Sequence, residues 1–366
     1  MIRADKINHN YYYPEQFNES GEKFLNSYTL EKEVSCPSEK IKGLKDKKSR
    51  ICRFCHKKYP FVSFSKDAHI FSELLGNKYL VSDFECDDCN SKFGKYESDL
   101  ANFLGIIRTI QSVKAKKIPK FKSADKKLEA ESTQEPDEGT IVKVRRFDGL
   151  NKTFHFNKEQ QQTEITYEKG PYTPLNVYKA ILKMALSIVD ENHLADYKFA
   201  FEYLRTNKHD KNYSGFGIVT SYSMPLTFQF QQPTGMLFKK INSNAKLFTH
   251  LFYFAALNFI YEIVIPFNRQ DAMLYQIPGG LGTLWCPPLF GHDKEERILS
   301  IYSNSLNLNS IERLYNQKET FVLPTKEGEY DKSRFLNKET GEVYEEEFDG
   351  SKIIGIDLLR IDDPDE

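Results

Sequence analysis

The clearest hydrophobic period in the chain lies after position 90, where large apolar residues recur three or four positions apart. They are Phe93, Tyr96, Leu100, Phe103, Ile107 and Ile110. This spacing predicts one apolar face of a helix. A second helix is predicted from Pro174, with Thr173 as its N-cap residue, because apolar residues from Val177 to Ile188 repeat at the same period. A third is predicted near residues 195–205.

Short alternating segments predict β-strands in the second half of the chain. They lie near residues 140–147, 152–157, 163–168, 217–223 and 226–230. The most hydrophobic run, residues 247–267, contains His250, Asn258 and Glu262. That polar content favours two consecutive buried strands over a membrane span. Helices and strands in this mixture predict an α+β fold.

Polarity and charge divide the 366 residues into four predicted segments. Residues 1–45 are polar without a clear period and are interpreted as an N-terminal arm. Residues 46–113 hold a small cysteine-containing domain, and residues 114–139 form a charged linker. Residues 140–366 form a mixed α+β C-terminal domain that ends in an acidic tail. The pattern of this last domain does not indicate a function.

The formal net charge is −1, but the charge is unevenly distributed. Ten basic residues lie from position 40 to 66 and are opposed there only by Asp46, whereas ten carboxylates lie from Glu342 to the C-terminus. A basic face beside the cysteine domain is what a polyanion-binding surface requires. A solvated lysine-rich loop is the plainer alternative.

Four of the six cysteines form two C-x-x-C pairs. They are Cys52, Cys55, Cys86 and Cys89. This spacing predicts a closed, tetrahedral structural Zn²⁺ site. Cys36 and Cys286 remain outside the pairs and form no disulfide framework. Such cysteine usage fits a reducing cytoplasm, and no secretory signal is visible at the N-terminus, so we expect a cytoplasmic protein without a membrane segment.

One histidine, His69, lies between the two cysteine pairs, and Asn90 directly follows the last cysteine. A neutral imidazole can accept a proton from water as a general base. A carboxamide oxygen is a suitable ligand for a hard cation such as Mg²⁺ or Mn²⁺. Hydrolysis of a phosphodiester requires both functions, so these two residues are candidates for a hydrolytic site.

The order of paired cysteines, histidine and asparagine resembles the zinc-bearing branch of the HNH endonucleases. The resemblance implies an N-terminal ββα-metal module in which the four cysteines hold zinc. It implies that His69 is the general base, that Asn90 ligates a catalytic Mg²⁺ or Mn²⁺, and that a polar residue clamps the loop between the strands. Val81 stands at the usual place of that polar residue, which leaves Asp83 as the candidate and Asn77 as the other option.

The sequence departs from the family pattern at Ala68, because family members usually carry a metal ligand directly before the general base. Asp67 and Glu97 are candidates for the missing ligand. This departure favours an alternative function, that of a catalytically inactive zinc-containing module that binds nucleic acid or protein. A third hypothesis is a structural or regulatory subunit whose zinc domain docks a partner.

The resemblance implies a metal-dependent endonuclease that hydrolyses DNA, with RNA left open as a substrate. Stand-alone bacterial proteins of this layout are often effectors of anti-phage defence, controlled by an activating protein or a nucleotide signal. We therefore expect the C-terminal domain or a partner to gate the nuclease. One such site cuts one strand, so a double-strand break requires two protomers of a homo-oligomer or two successive nicks.

Overall fold

The computed structural model describes most of the chain. The described residues are 1–7, 10–40, 44–113, 119–135, 139–147, 153–157, 159, 162–206, 216–276, 283–291, 300–324, 332–336, 343–347 and 355–360. The chain divides into two compact units, each built from two separate stretches. Unit 1 contains residues 1–101 and 172–313, and unit 2 contains residues 102–171 and 314–366.

The described residues contain both helices and strands, so the fold is of the mixed α+β class that the sequence predicts. The α-helices are α1 (Asn18–Ser27), α2 (Asp87–Leu104), α3 (Ile107–Ile110), α4 (Pro174–Ile188) and α5 (Lys198–Arg205). The strands are β1 (Ile2–Arg3), β2 (Tyr11–Tyr13), β3 (Tyr28–Ser35), β4 (Ala68–His69), β5 (Val81–Ser82), β6 (Lys120–Lys122), β7 (Leu128–Glu135), β8 (Gly139–Arg146), β9 (Phe154–Asn157), β10 (Gln162–Glu168), β11 (Ile218–Ser223), β12 (Thr234–Lys240), β13 (His250–Ala256), β14 (Phe259–Val264), β15 (Phe290–Gly291), β16 (Tyr302–Asn307), β17 (Lys318–Pro324), β18 (Lys332–Leu336), β19 (Val343–Glu347) and β20 (Gly355–Arg360).

A six-stranded antiparallel sheet forms the centre of unit 1. Its strand order is β16-β11-β14-β13-β12-β3. Every residue of β13 and β14 is buried, because these two strands lie in the middle of the sheet and are apolar except for His250 and Glu262. The hydrophobic run at 247–267 thus forms two consecutive buried strands, as predicted.

The polar N-terminal segment contributes a helix and an edge strand to unit 1. On α1, the Phe24 ring stacks on Tyr28 and meets the edge of Phe238. Strand β3 pairs with β12 along its length. A polar sequence is compatible with this position because an edge strand exposes much of its surface. The N-terminal arm interpreted over residues 1–45, whose order the sequence leaves uncertain, thus contains α1 and β3 within its described part.

Unit 2 is built mainly from β-sheets. A four-stranded sheet has the order β20-β8-β7-β6, a three-stranded sheet has the order β17-β10-β9, and β18 pairs with β19. Alternate residues of β10 are buried, and Ile165 and Tyr167 join Leu128 and Val144 in its core. Residues 114–139, interpreted as a linker, contain β6 and β7 within their described part.

The predicted helices and most predicted strands are present, with one exception. No strand forms over residues 226–230, because the chain turns after Pro225, whose carbonyl accepts a hydrogen bond from the Phe228 N–H. The four predicted segments differ from the two contact-based units, and their boundaries stay a prediction. Residues 361–366 of the acidic tail lie outside the described residues. Among the described helices, none is both long and apolar enough to cross a membrane.

Candidate metal centre and active site

The four paired cysteines come together at one point. The first pair lies in a tight turn, in which the Cys52 N–H donates to the Lys57 carbonyl at 2.8 Å and His56 adopts a φ of 60°. The second pair lies around the first turn of α2. The four Sγ atoms lie within 4.8 Å of one another, and those of Cys55 and Cys86 are 3.7 Å apart. Thiolates around a tetrahedral Zn²⁺ are about 3.8 Å apart, so the cluster fits zinc.

The electrostatics of the cluster also suit a metal. Hydrogen bonds from the Cys52 and Cys89 thiols lower the pKa of Cys86 to about 2. Cys86 is thus stabilised as a thiolate, which is the form of cysteine that binds Zn²⁺, whereas hydrogen bonds with the other thiols and burial raise the pKa of Cys52 and Cys89. Three of the four cysteines are buried, as expected for a site that is closed to substrate. The four residues are compatible with a structural zinc.

His69 lies on a short hairpin directly before α2. Strands β4 and β5 are antiparallel, with Ala68 opposite Ser82 and His69 opposite Val81. The His69 side chain is 14% exposed, and its Nε2 lies 3.8 Å from a carboxylate oxygen of Glu73. The carboxylate found beside the ring is thus supplied by the loop of the hairpin itself. Sequence reasoning missed Glu73 because its spacing from His69 matches no element of the resemblance.

Asn77 holds the loop between β4 and β5. Its side-chain amide donates to the carbonyls of Phe71 at 2.7 Å and Leu80 at 2.9 Å, and its oxygen accepts from the Leu80 N–H at 2.8 Å. Asn77 is fully buried, so these hydrogen bonds are shielded from water. Of the two residues proposed for the clamp, Asn77 makes the contacts within the loop. The Asp83 carboxylate instead accepts from the Lys45 N–H at 3.2 Å.

Asp87, the first residue of α2, holds the chain that leads into β4. Its carboxylate accepts from the Ser63 hydroxyl at 2.6 Å and from the backbone N–H groups of Ser65 and Lys66, each at 2.9 Å. Burial alone would raise the pKa of Asp87, but these hydrogen bonds outweigh it and lower the pKa. The position of His69 is therefore set from both ends of its strand.

Helix α4 contacts the hairpin and the first cysteine pair from more than a hundred residues away. The buried Lys183 ammonium donates to the His69 carbonyl and lies 3.1 Å from Glu85, whose side chain is also buried. The Arg53 guanidinium donates to the carbonyls of Ser187 at 2.8 Å and Val189 at 3.0 Å, at the C-terminal end of α4. Carbonyls at that end of a helix have no partner within it, and a cation satisfies them.

The remaining predicted residues are placed as follows. Asn90 lies in the first turn of α2, half-buried, and its N–H donates to the Cys86 carbonyl at 2.9 Å. The Asp67 carboxylate pairs with Lys40 at 3.3 Å and is mostly exposed. Glu97 lies further along α2 and adds its negative charge to the surroundings of Glu85. The roles of His69, Asp83 and Asn90 in catalysis stay predictions.

The basic segment at residues 40–66, which contains the first cysteine pair, is only partly available to a ligand. Two of its arginines are directed into the protein, since Arg50 donates to the Lys45 carbonyl at 2.8 Å and Arg53 to α4. Seven of its described lysines are exposed: Lys40, Lys45, Lys47, Lys48, Lys57, Lys58 and Lys66. The Lys47 ammonium donates to the Ser65 carbonyl at 3.4 Å, and Lys40 pairs with Asp67. These contacts place the basic segment along the residues that precede His69.

Comparison with known proteins agrees with the geometry. Residues 52–100 match the family model described as HNH endonuclease. The matched segment contains the four clustered cysteines, the β4–β5 hairpin and most of α2. No curated protein and no solved structure matches the chain. The chain thus carries a domain of the HNH endonuclease family, and this supports a nuclease-type function and nucleic-acid binding.

Proposed function

We propose that the protein is a metal-dependent endonuclease that hydrolyses phosphodiester bonds in DNA. The observation that carries the proposal is the hairpin that presents His69 beside a zinc-type cysteine cluster, in a segment that matches the HNH family. His69 acts as the general base, Asn90 ligates the catalytic Mg²⁺ or Mn²⁺, and the zinc serves as a scaffold. Asp83 remains a candidate for the site, and Asn77 holds the loop.

The chain's own residues would act in three ways. The His69 imidazole takes the proton from the attacking water, and Glu73, 3.8 Å from Nε2, stabilises the imidazolium that results. Lys183 and Asp87 fix the strand that carries His69. The Asn90 carboxamide offers an oxygen to a hard cation, which when bound neutralises the scissile phosphate and the leaving oxygen. Asp67 and Glu97 remain the candidates for the ligand that Ala68 lacks.

The exposed lysines support DNA as the substrate. Lys47 and Lys66 lie on the segment that leads to His69, and their charges would contact the phosphate backbone on either side of the scissile bond. Contacts of this kind are independent of sequence and weaken with salt. RNA presents the same phosphates and is the competing substrate. A role in anti-phage defence, with cleavage gated by the predicted C-terminal domain (residues 140–366), a partner protein or a nucleotide signal, rests on the layout alone.

The test is cleavage of supercoiled plasmid by the full chain with Mg²⁺ or Mn²⁺. We expect nicked circles to form first, because one site cuts one strand. If two protomers act together, the rate at which linear product forms should depend on the square of the protein concentration. His69→Ala is expected to abolish cleavage while zinc content and thermal unfolding stay unchanged. His155→Ala is the matched control, since His155 is an exposed histidine on β9. A single-stranded RNA of equal length separates the two substrates.

The second candidate function is an inactive zinc module that binds nucleic acid, and Ala68 at a usual ligand position favours it. Gel-shift binding of DNA without cleavage, in both metals and with the His69→Ala variant binding equally well, would support this candidate and contradict the nuclease. Restoring a ligand by Ala68→Asp is then informative, because a dormant site would gain activity.

A further inference from the structure

A second group of metal-binding side chains lies in unit 1, on elements other than those of the cysteine cluster and His69. Its members are Glu31 on β3, His193 in the seven-residue 3₁₀ helix Glu191–Tyr197, and His250 on β13. One ligand atom from each lies within 4.8 Å of the other two. Three elements that are distant in sequence thus direct donor atoms to one point.

The distances in this group fit a small divalent cation. Glu31 uses both carboxylate oxygens, one 3.0 Å from the His250 Nε2 and the other 3.1 Å from the His193 Nε2. Ligand atoms around a tetrahedral Zn²⁺ are about 3.3 Å apart, so these two pairs need to separate by only a few tenths of an ångström to accommodate the ion. Two imidazoles and one carboxylate also form the donor set of zinc sites that keep one position open.

A β-bulge directs Glu31 toward the histidines. In the pairing of β3 with β12, Leu30 lies opposite Phe238 and Lys32 lies opposite Leu237. Glu31 is therefore the extra residue of β3, with no partner of its own in the pairing. A bulge changes the direction in which its residues point and is common beside functional sites. The local irregularity serves to place this carboxylate.

The ring nitrogen of His250 that faces away from the group makes a contact of its own, as is usual for a metal-binding histidine. Its Nδ1 lies 2.7 Å from the Tyr197 hydroxyl, and the ring is fully buried. Such a second contact fixes the orientation of the ring and leaves the other nitrogen for the metal. Tyr197 and His193 belong to the same 3₁₀ helix. The Glu31 and His193 side chains are about one-fifth exposed, which gives an ion access from solvent.

The charge of Lys239 has opposite effects on a metal site and on a plain ion-pair network, so it distinguishes the two. Its ammonium lies 3.0 Å from the His193 Nε2 and 3.2 Å from Glu31, close to where an ion would be bound. An ion-pair network requires this charge, whereas a bound cation is repelled by it. The Lys239 side chain is 36% exposed and can therefore turn into solvent when an ion enters.

We propose that Glu31, His193 and His250 form a second site for a divalent transition metal such as Zn²⁺, separate from the cysteine cluster. Lys239 is the group that the ion displaces. The Tyr197 hydroxyl orients His250 without contacting the metal. This site does not depend on the nuclease activity proposed above, because none of its residues belongs to the hairpin or to α2.

The test is calorimetric titration of Zn²⁺ into the full chain after its cysteine site has been loaded with zinc. We expect a second equivalent to bind, and we expect Glu31→Gln and His193→Ala to lose it while His155→Ala keeps it. Lys239→Met should bind the second equivalent more tightly than the wild type. Tyr197→Phe should weaken it by about 10–100-fold, the usual effect of removing an orienting contact.

Co²⁺ supplies an independent readout, because cobalt bound to thiolates has an intense charge-transfer absorption that cobalt bound to imidazole and carboxylate lacks. The second equivalent of Co²⁺ should add only weak visible bands, which disappear in Glu31→Gln. A wild-type chain that takes up a single equivalent overturns the proposal. A second equivalent that survives in Glu31→Gln and His193→Ala, or that Lys239→Met weakens, overturns it as well.

Discussion

Asn77 joins three backbone groups of the β4–β5 loop through a single fully buried side chain. A buried residue of this kind determines the shape of a loop more strongly than the turn propensities of the loop residues do. Without its hydrogen bonds, the buried backbone groups of the loop would have no partner. His69 lies two residues before Phe71, and Glu73 lies within the loop between Phe71 and Leu80 that Asn77 organises. The relative position of imidazole and carboxylate therefore depends on one amide.

Asn77→Ala is expected to lower the free energy of unfolding by about 2–4 kcal/mol, because it leaves buried carbonyls and one N–H without partners. Urea denaturation measures this loss. Asn192→Ala is the control, because Asn192 is exposed and a change at such a site is expected to cost less than about 0.5 kcal/mol. Equal stability of the two variants would contradict the role given to Asn77.

Glu262 gives a prediction on pH. Burial raises the pKa of this β14 carboxyl well above 4.5, although the Cys286 N–H donates to it at 3.0 Å. The folded protein therefore holds a proton that the unfolded chain releases near pH 4.5. Stability from this group is fully present below the unfolded pKa and is lost as pH rises toward the folded pKa.

We expect Glu262→Gln to remove this dependence, which amounts to about 1.4 kcal/mol per pH unit for one proton. The measurement is urea unfolding of wild type and variant between pH 5 and pH 8. The two curves of stability against pH should converge at the acidic end and separate toward pH 8, where the variant is the more stable. Parallel curves would show that Glu262 is not the group responsible.

At the scale of elements, α4 carries two buried lysines one turn apart. The Lys179 ammonium donates to the Thr206 carbonyl at 2.6 Å and lies 4.7 Å from the Tyr203 ring centre. The Lys183 ammonium donates to the His69 carbonyl and pairs with Glu85. The two side chains are equally buried, so comparing them separates a purely structural role from a role in positioning His69.

Lys183→Met is expected to lower the rate of plasmid cleavage about tenfold or more, because one charge-assisted hydrogen bond of about 1.5–3 kcal/mol no longer fixes the His69 strand. Lys179→Met should lose a similar amount of stability and keep its cleavage rate. Lys183→Arg should recover part of the activity. Equal loss of activity in both methionine variants would mean that stability alone is responsible. The prediction rests on the proposed nuclease function.

Local patterns predicted the elements that bury one face. The three- and four-residue spacing of Phe93, Tyr96 and Leu100 predicted α2, and all three are buried. Alternation predicted β10 in the same way. Strand β3 was missed because an edge strand needs no apolar face, and β6 and β7 were missed because charged residues dominate their sequence. Strand β3 pairs with β12, about 200 residues away, and this pairing leaves no local pattern in the sequence. Strands β6 and β7 pair with their neighbours β7 and β8.

In the candidate site, too, local spacing predicted some residues, whereas contacts with distant parts of the chain determine the others. The cysteines were predicted from spacing alone because a metal site must bring its ligands together whatever the fold. Asn77 was one of two options, and the loop contacts distinguish it from Asp83. Lys183 and Arg53 were missed, since their partners lie 114 and more than 130 residues away. Such contacts depend on how α4 packs, and α4 lies outside the sequence of the cysteine domain.

At the scale of the whole molecule, zinc is expected to account for much of the order in residues 52–100. The four cysteines join a turn before the hairpin to the helix after it, and the two strands between them have only two residues each. A structural zinc contributes its binding free energy directly to folding. Unit 2 contains none of these ligands.

Cys86→Ser is therefore expected to lose one equivalent of zinc and to speed hydrogen exchange in β4, β5 and the first turns of α2. Elemental analysis and exchange mass spectrometry measure the two effects. Cys36→Ser is the control, because Cys36 is also buried but lies outside the cluster. Exchange in β7 and β8 of unit 2 should stay unchanged in both variants. Retention of zinc by Cys86→Ser would exclude the four-cysteine site.

The division of unit 1 into two stretches has a consequence for synthesis on the ribosome. The cysteine domain is translated early, but Lys183, the carbonyls that bind Arg53 and the strand that pairs with β3 all belong to residues 172–313. Residues 102–171 of unit 2 emerge in between. The surroundings of His69 are thus completed only after residues 172–189 have been translated, so a chain that ends before them lacks the contacts of α4 with His69 and Arg53.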